Sequence, residues 1–374
     1  MRCLACAVLL GSIVTAVGQR PRARDLGVPF EGTPGPHNAI TDVTGVTVGH
    51  ATLINGDSVR TGVTAVWPRD RNPSDPVFGG WFSLNGNGEM TGTAWLDESG
   101  FVDGPVLLTN THSVGTVRDA YIQWLASERR QPGTNNVLSG FWALPVVAET
   151  WDGYLNDVNG FHVKPAHVVQ ALTSAAGGRV AEGSVGGGTG MICYGFKGGI
   201  GTASRLAAGF TVGALVQCNC GGRRQLRIAG VSVGEQLTAE ADMTQPGIRE
   251  ERGSIIIVVA TDAPLLAHQT KRLARRAAMG LARTGSVSGN GSGDLFIAFS
   301  TANSGAAEAQ GERQVRMLAN DAMDPLFQAT VEAVEEAIVN SMVAADTMTG
   351  QQKRTVQSLP HDRLRALFQS ARRR

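Results

Sequence analysis

Gly253-Ser254 stands between the charged stretch Arg249-Glu250-Glu251-Arg252 and the apolar run Ile255-Ile256-Ile257-Val258-Val259-Ala260. A serine hydroxyl can attack the carbonyl before it when the preceding residue is glycine, which has no side chain to obstruct the approach. An N→O acyl shift followed by hydrolysis leaves that serine as a new N-terminus. Its α-amine, with an ordinary pKa near ~8, can then act as general base for its own hydroxyl. The same dipeptide is also how an ordinary strand begins. Other chemistry fits less well. Gly190 to Lys197 spells Gly-x4-Gly-Phe-Lys, which puts the lysine in the wrong place for a phosphate-binding loop, and Gly86-x-Gly88-x3-Gly92 misses the dinucleotide spacing by one residue. The 7 histidines are scattered. His162 and His167 are five apart and cannot share a helix face, and Cys218-x-Cys220 lacks a second Cys/His pair, so no metal site is expected. A nucleophile elbow is absent, Gly291-Ser292-Gly293 being one residue short on each side.

The elements that must hold these residues follow from periodicity. Val43, Val46 and Val48 begin a stretch of short strands that reaches about Val66. Asn85 to Gly92 is expected as a polar loop joining two strands within Phe78 to Trp95. Val106 to Thr109 is a buried strand, followed by a helix from Val114 to Leu125, and a second helix runs from Val163 to Ala176 with Pro165 in its first turn. Phe210 to Gln217 is a strand with Asn219 just beyond it. Gly234 to Arg252 is the expected linker, and the apolar run after Ser254 is a strand covered on both faces. A helix from Pro264 to about Arg283, a glycine/serine loop, a strand from Leu295 to Phe299 and a helix from Pro325 to about Ala345 complete the pattern. The tail from Gln351 to Arg374 is expected to be a solvated end. Strands bracketed by helices suggest helices covering a two-sheet core.

Composition sets the class. Of 374 residues, 48 are glycine, about 13% against a usual ~7%, with no collagen period. The 33 Lys+Arg against 32 Asp+Glu leave a charge of +1, which argues against a whole-surface field for nucleic acid or an anionic membrane. The 5 cysteines do not make a disulfide framework and are expected as small buried residues. Cys3 to Val17 is apolar after Arg2, with small residues Ala16 and Gly18 ahead of Gln19. That pattern matches a secretory signal over 1–18, implying a periplasmic or secreted protein, with a cytoplasmic one as the alternative. No other run is long enough to span a membrane.

Six local sequences then carry a resemblance. They are Ile40-Thr41-Asp42-Val43-x-Gly45-Val46-x-Val48-Gly49-His50; Asn85-Gly86-Asn87-Gly88-Glu89-Met90-Thr91-Gly92; Thr109-Asn110-Thr111-His112-Ser113-Val114-Gly115; Pro145-Val146-Val147-x-Glu149-Thr150; Asp262-Ala263-Pro264-Leu265; and Ser292-Gly293-Asp294. In this order the chain resembles, from about Ala39 to Ala345, the self-processing serine aminopeptidases. That family includes the L-aminopeptidase/D-amino-acid esterase-amidases and the β-aminopeptidases. The resemblance implies an α/β fold, a four-layer αββα sandwich like that of N-terminal-nucleophile hydrolases but with different strand connectivity. It implies cleavage between Gly253 and Ser254 into an α chain (19–253) and a β chain (254–374) of one catalytic domain.

Ser254 would be the nucleophile, with Ser292 and Asp294 hydrogen-bonding its hydroxyl and amine. Asn219 would serve the oxyanion, and Glu149 would bind a substrate's free ammonium group. Trp151 stands where some relatives carry a tyrosine two residues past that acid. An indole N–H cannot take both roles of a phenol hydroxyl, and a bulkier pocket is expected. The implied substrates are short peptides, amides or esters with a free N-terminal amine, with no metal or organic cofactor and a tetramer of processed units. Preference among L-, D- and β-residues stays open. An amidase or acyltransferase for other acyl groups, and a self-cleaved binding protein without turnover, are the rival readings.

Overall fold

A computed structural model of the protein describes residues 20–129, 141–237 and 253–371. In chain order its elements are β1 (Thr47–Asn55), β2 (Val59–Trp67), β3 (Val77–Gly86), helix α1 (Thr93–Ser99), β4 (Phe101–Val102), β5 (Val106–Asn110), α2 (Val114–Glu128), β6 (Val146–Thr150) and α3 (Pro165–Thr173). A short hairpin of β7 (Ile192–Cys193) and β8 (Phe196–Lys197) precedes the long strands β9 (Gly199–Ala207) and β10 (Phe210–Asn219). A second small hairpin, β11 (Arg227–Ile228) and β12 (Val231–Ser232), leads into α4 (Val233–Leu237). Then come β13 (Ser254–Thr261), α5 (Ala267–Arg283), β14 (Gly293–Ser300), α6 (Asp324–Val343), the hairpin β15 (Met348–Thr349) and β16 (Thr355–Val356), and α7 (His361–Ala371).

The strands make two main sheets, one ordered β1-β2-β5-β6 and the other β4-β3-β14-β13-β10-β9. β13 is buried along its whole length because it lies between layers. Ile255, Ile257 and Val259 pack with Leu273, Ala277, Ala333 and Ala337 of α5 and α6, while Ile256, Val258 and Ala260 pack with Val106, Leu108, Val146 and Ala148 of the other sheet. The outer face of the four-stranded sheet offers Val63, Leu107 and Val147 to Val117, Tyr121, Val168 and Leu172 of α2 and α3. The result is the αββα sandwich. At its centre β13 runs parallel to β14, with α5 as the crossover, and antiparallel to β10.

Four expectations need correction. The loop after β3 leads into a helix, α1, rather than a second strand. The cause is a partner distant in sequence: the Thr91 N–H donates to Val147 O at 2.9 Å and its hydroxyl to Pro145 O at 2.7 Å, so this segment joins the edge of the other sheet. β10 runs on to Asn219, which is the strand's last residue and pairs across to Ser254. The tail is not a solvated end, since α7 docks through Leu364 and Phe368, four apart and both buried in the core. Among the cysteines, Cys193 and Cys218 form a disulfide, with buried Cys220 3.5 Å from Cys218. Val233–Leu237, at the head of the expected linker, is helical; the rest of it, 238–252, lies outside the described residues, as does the expected signal segment up to residue 19.

Candidate active site

The corner where β10, β13 and β14 meet holds most of the expected residues. Ser254 is the first residue of β13 and is directly opposite Asn219, the last of β10. Alternation along the strand puts Ser254 on the face of Ile256 and Val258, which looks into the sandwich rather than toward the helices. Its hydroxyl is buried and accepts a hydrogen bond from the Gly293 N–H at 2.9 Å. Gly293 opens β14, and Asp294 pairs in parallel register with Ile255.

Asp294 Oδ1 accepts from the Ser292 hydroxyl at 2.6 Å and from the Ile255 N–H at 3.2 Å, so it holds the peptide group just after Ser254. Ser292 and Asp294 are both fully buried. The direct partner of the Ser254 hydroxyl is thus a backbone amide between these two residues. Gly253 lies against the end of β10: a Cβ there would come within 1.7 Å of Asn219 O and 3.1 Å of Cys220 Cα. Its glycine is therefore required by packing.

Asn219 is oriented by a backbone donor. Its Oδ1 accepts from the Ile192 N–H at 2.8 Å, which fixes the amide so that Nδ2 is its free end. Among the described residues no acceptor takes the Nδ2 hydrogens. The Cys193–Cys218 disulfide ties the same β7 segment to the residue just before Asn219.

Glu149 belongs to β6, in the other sheet, and reaches the corner through the 87–91 segment. That segment is anchored on both sides: the Asn87 N–H donates to Ser292 O at 3.2 Å, and Met90 bridges to Ala148. Gly88 lies between. A methyl there would sit 3.1 Å from Gly293 Cα and 3.3 Å from Glu149 Oε1, a tight fit that would make one neighbour give by a few tenths of an ångström. Glu149 is 3% exposed. Its carboxylate accepts from the Glu89 N–H at 3.1 Å and from the Thr111 hydroxyl. Burial pushes its pKa above the ordinary glutamate value, and those two hydrogen bonds only partly oppose this. A buried carboxylate of this kind gains most from a cationic partner. Thr111 follows β5, the strand parallel to β6, which is why it reaches Glu149.

Trp151 is 46% exposed, with its indole against Gly153. Tyr154, nearby in sequence, is covered by the Arg354 guanidinium at 5.0 Å from its ring centre. The Gly293, Glu89 and Ile192 amides had no signal in the sequence, because any residue type supplies an N–H. Thr111 did have one, lying inside the Thr109–Gly115 motif. The one group of side chains with metal-ligand spacing among the described residues is Cys193, Cys218 and Cys220, of which two form the disulfide.

Residues 38–356 match the model of peptidase family S58. The chain is 52% identical to a beta-peptidyl aminopeptidase of Sphingosinicella microcystinivorans, over 98% of this chain and 97% of that protein. Among solved structures it is similar to the L-aminopeptidase D-Ala-esterase/amidase of Ochrobactrum anthropi, described as a variant of the Ntn-hydrolase fold. The match has 47% identity, a TM-score of 0.85, and covers 95% of this chain and 99% of that one. A beta-aminopeptidase from a Burkholderia species matches with 49% identity and a TM-score of 0.83, over 94% and 99% of the two chains.

Proposed function

The chain belongs to peptidase family S58 and is an aminopeptidase-type hydrolase, and on that premise we propose that it activates itself by cutting Gly253-Ser254. The observation that carries the proposal is the placement of Ser254, at the start of a central strand with its hydroxyl held by the Gly293 N–H and Asn219 opposite. In the self-cleavage, Ser254 Oγ attacks the Gly253 carbonyl carbon and the C–N bond breaks. The resulting ester is hydrolysed by water, leaving a Gly253 carboxylate and a free Ser254 amine. Residues 1–18 are removed as a leader, the α chain then spans 19–253, and the β chain spans 254–374.

In turnover, Glu149 takes the substrate's ammonium group, which restores the charge that burial disfavours. Ser254 Oγ attacks the scissile carbonyl as its own amine accepts the hydroxyl proton. Asn219 Nδ2 donates to the oxygen that becomes negative, an interaction that typically lowers the barrier by ~3–4 kcal/mol. The amine returns the proton to the leaving group, and water hydrolyses the acyl-enzyme. Asp294, bonded to the Ile255 N–H and the Ser292 hydroxyl, holds the new N-terminus in place and offsets the charge of its ammonium form. Substrates are short peptides, amides and esters with a free N-terminal amine. Peptides beginning with a β-amino acid head the panel, on the likeness to the beta-peptidyl aminopeptidase.

Ser254→Ala tests the whole scheme. The variant should fold, remain one uncut chain and release no p-nitroaniline from aminoacyl p-nitroanilides. A Ser254→Ala protein that still splits in two removes the proposal.

A further inference from the structure

We infer that Lys197 positions and polarises Asn219 for the oxyanion through one intervening peptide group, that between Met191 and Ile192. The inference rests on the reading of Asn219 as an oxyanion donor.

Lys197, in β8, is completely buried, and the scheme above gives it no task. Its ammonium Nζ donates to Met191 O at 2.9 Å and to Gly198 O at 2.8 Å. Met191 O also accepts from the Gly198 N–H at 3.0 Å. The Met191 carbonyl and the Ile192 N–H are two ends of a single planar amide. Two donors pin its oxygen end, and its N–H end donates to Asn219 Oδ1 at 2.8 Å. Three links are therefore connected in series: an ammonium on a backbone carbonyl, that amide's N–H on a side-chain carbonyl, and the Asn219 NH₂ at the end. Hydrogen bonding at an amide oxygen draws electron density from its nitrogen and strengthens the N–H as a donor. A positive charge at one end of such a chain makes the Nδ2 hydrogens better partners for a developing negative oxygen.

The charge is conditional. Burial lowers the Lys197 pKa to about 7, while the carboxylates of Asp152, just after β6, and Asp346, just after α6, hold it up. Asp152 is itself buried, with its pKa raised to about 6. Arg223 covers the Phe196 ring of the same hairpin. The ammonium is thus lost as pH rises through neutrality. The Ser254 amine acts with the opposite sign, becoming a better base as pH rises.

The test compares variants by kcat, KM and pH profile. In Lys197→Met, kcat should fall on the order of tenfold with KM unchanged, a fraction of the ~100- to 1,000-fold that a directly bonded oxyanion donor contributes. Loss of the Lys197 ammonium should make wild-type kcat decline above neutral pH; Lys197→Arg keeps a charge that does not titrate, and should hold kcat while losing this alkaline decline. Wild-type kcat in Lys197→Met, an unmoved alkaline decline in Lys197→Arg, or an equal fall in both variants overturns the relay. Asn219→Ala tests the reading beneath it. An unchanged kcat there removes Asn219 from the oxyanion site, whereas a loss there with none in Lys197→Met defeats the relay alone. In the double variant the two losses should not add; full additivity is contrary. Should neither lysine variant fold, the unmutated enzyme decides. Its Asn219 side-chain amide resonances, identified by their loss in Asn219→Ala, should shift with a midpoint near pH 7. Resonances fixed across the neutral range overturn the inference.

Discussion

At the scale of single residues, the corner is built by the absence of side chains as much as by their presence. Gly253 has no room for a Cβ, because Asn219 O would lie 1.7 Å from it. Gly253→Ala must therefore push the end of β10, and with it Asn219, away from Ser254. A time course on denaturing gels should show processing slowed or abolished; cleavage at the wild-type rate would contradict the packing argument. Glu149 gives a prediction in pH. Its carboxylate must be ionised to take an ammonium group, and burial raises its pKa. KM for free-amine substrates should thus climb as pH falls, beginning above the range of an exposed glutamate. Glu149→Gln should raise KM roughly tenfold to a hundredfold, the cost of losing one charge-assisted contact, and abolish that acid limb. Equal turnover of an N-acetylated substrate by the wild-type enzyme would show that the carboxylate has another purpose.

At the scale of elements, the C-terminal helix offers the clearest test of packing apart from chemistry. Leu364 and Phe368 of α7 are buried in the core that α5 and α6 share. Leu364→Ala should cost about 2–4 kcal/mol of stability, measured by denaturant unfolding, while kcat of the folded enzyme stays unchanged. A lowered kcat at full stability would mean that α7 reaches the site. This helix was missed in the sequence because the tail's overall polarity hides a two-residue apolar stripe. By contrast, β13 and α6 were legible from long apolar patterns, and β5 and α2 from a short buried run followed by a helical pattern. The helix after the 85–92 loop was illegible for a different reason: Thr91 joins the edge of β6, a partner over fifty residues away, and local pattern does not carry such pairings. The candidate site divides the same way. Ser254 was legible through the family resemblance, since its glycine and strand alone also fit an ordinary strand start, whereas the backbone donors at Gly293, Ile192 and Glu89 depend on where the chain passes in space. Cys193 and Cys218, 25 residues apart, meet only because β7 folds back onto β10.

At the scale of the molecule, the proposed cut falls at a place where the two pieces cannot drift apart. β13 would begin the β chain, yet it is flanked by β10 of the α chain on one side and by β14 of its own chain on the other. β14 in turn pairs with β3 of the α chain. Once cut, the two chains would interleave within one sheet, with the Ser254 amine left opposite Asn219 and next to the Ile255 N–H that Asp294 holds. The intact mass of the purified wild-type protein under denaturing conditions, with its activity measured on the same sample, is the most direct test of this account. Two polypeptides should be found, the smaller beginning Ser254-Ile255-Ile256, in a sample that turns over aminoacyl substrates. A single continuous chain with full activity would contradict it.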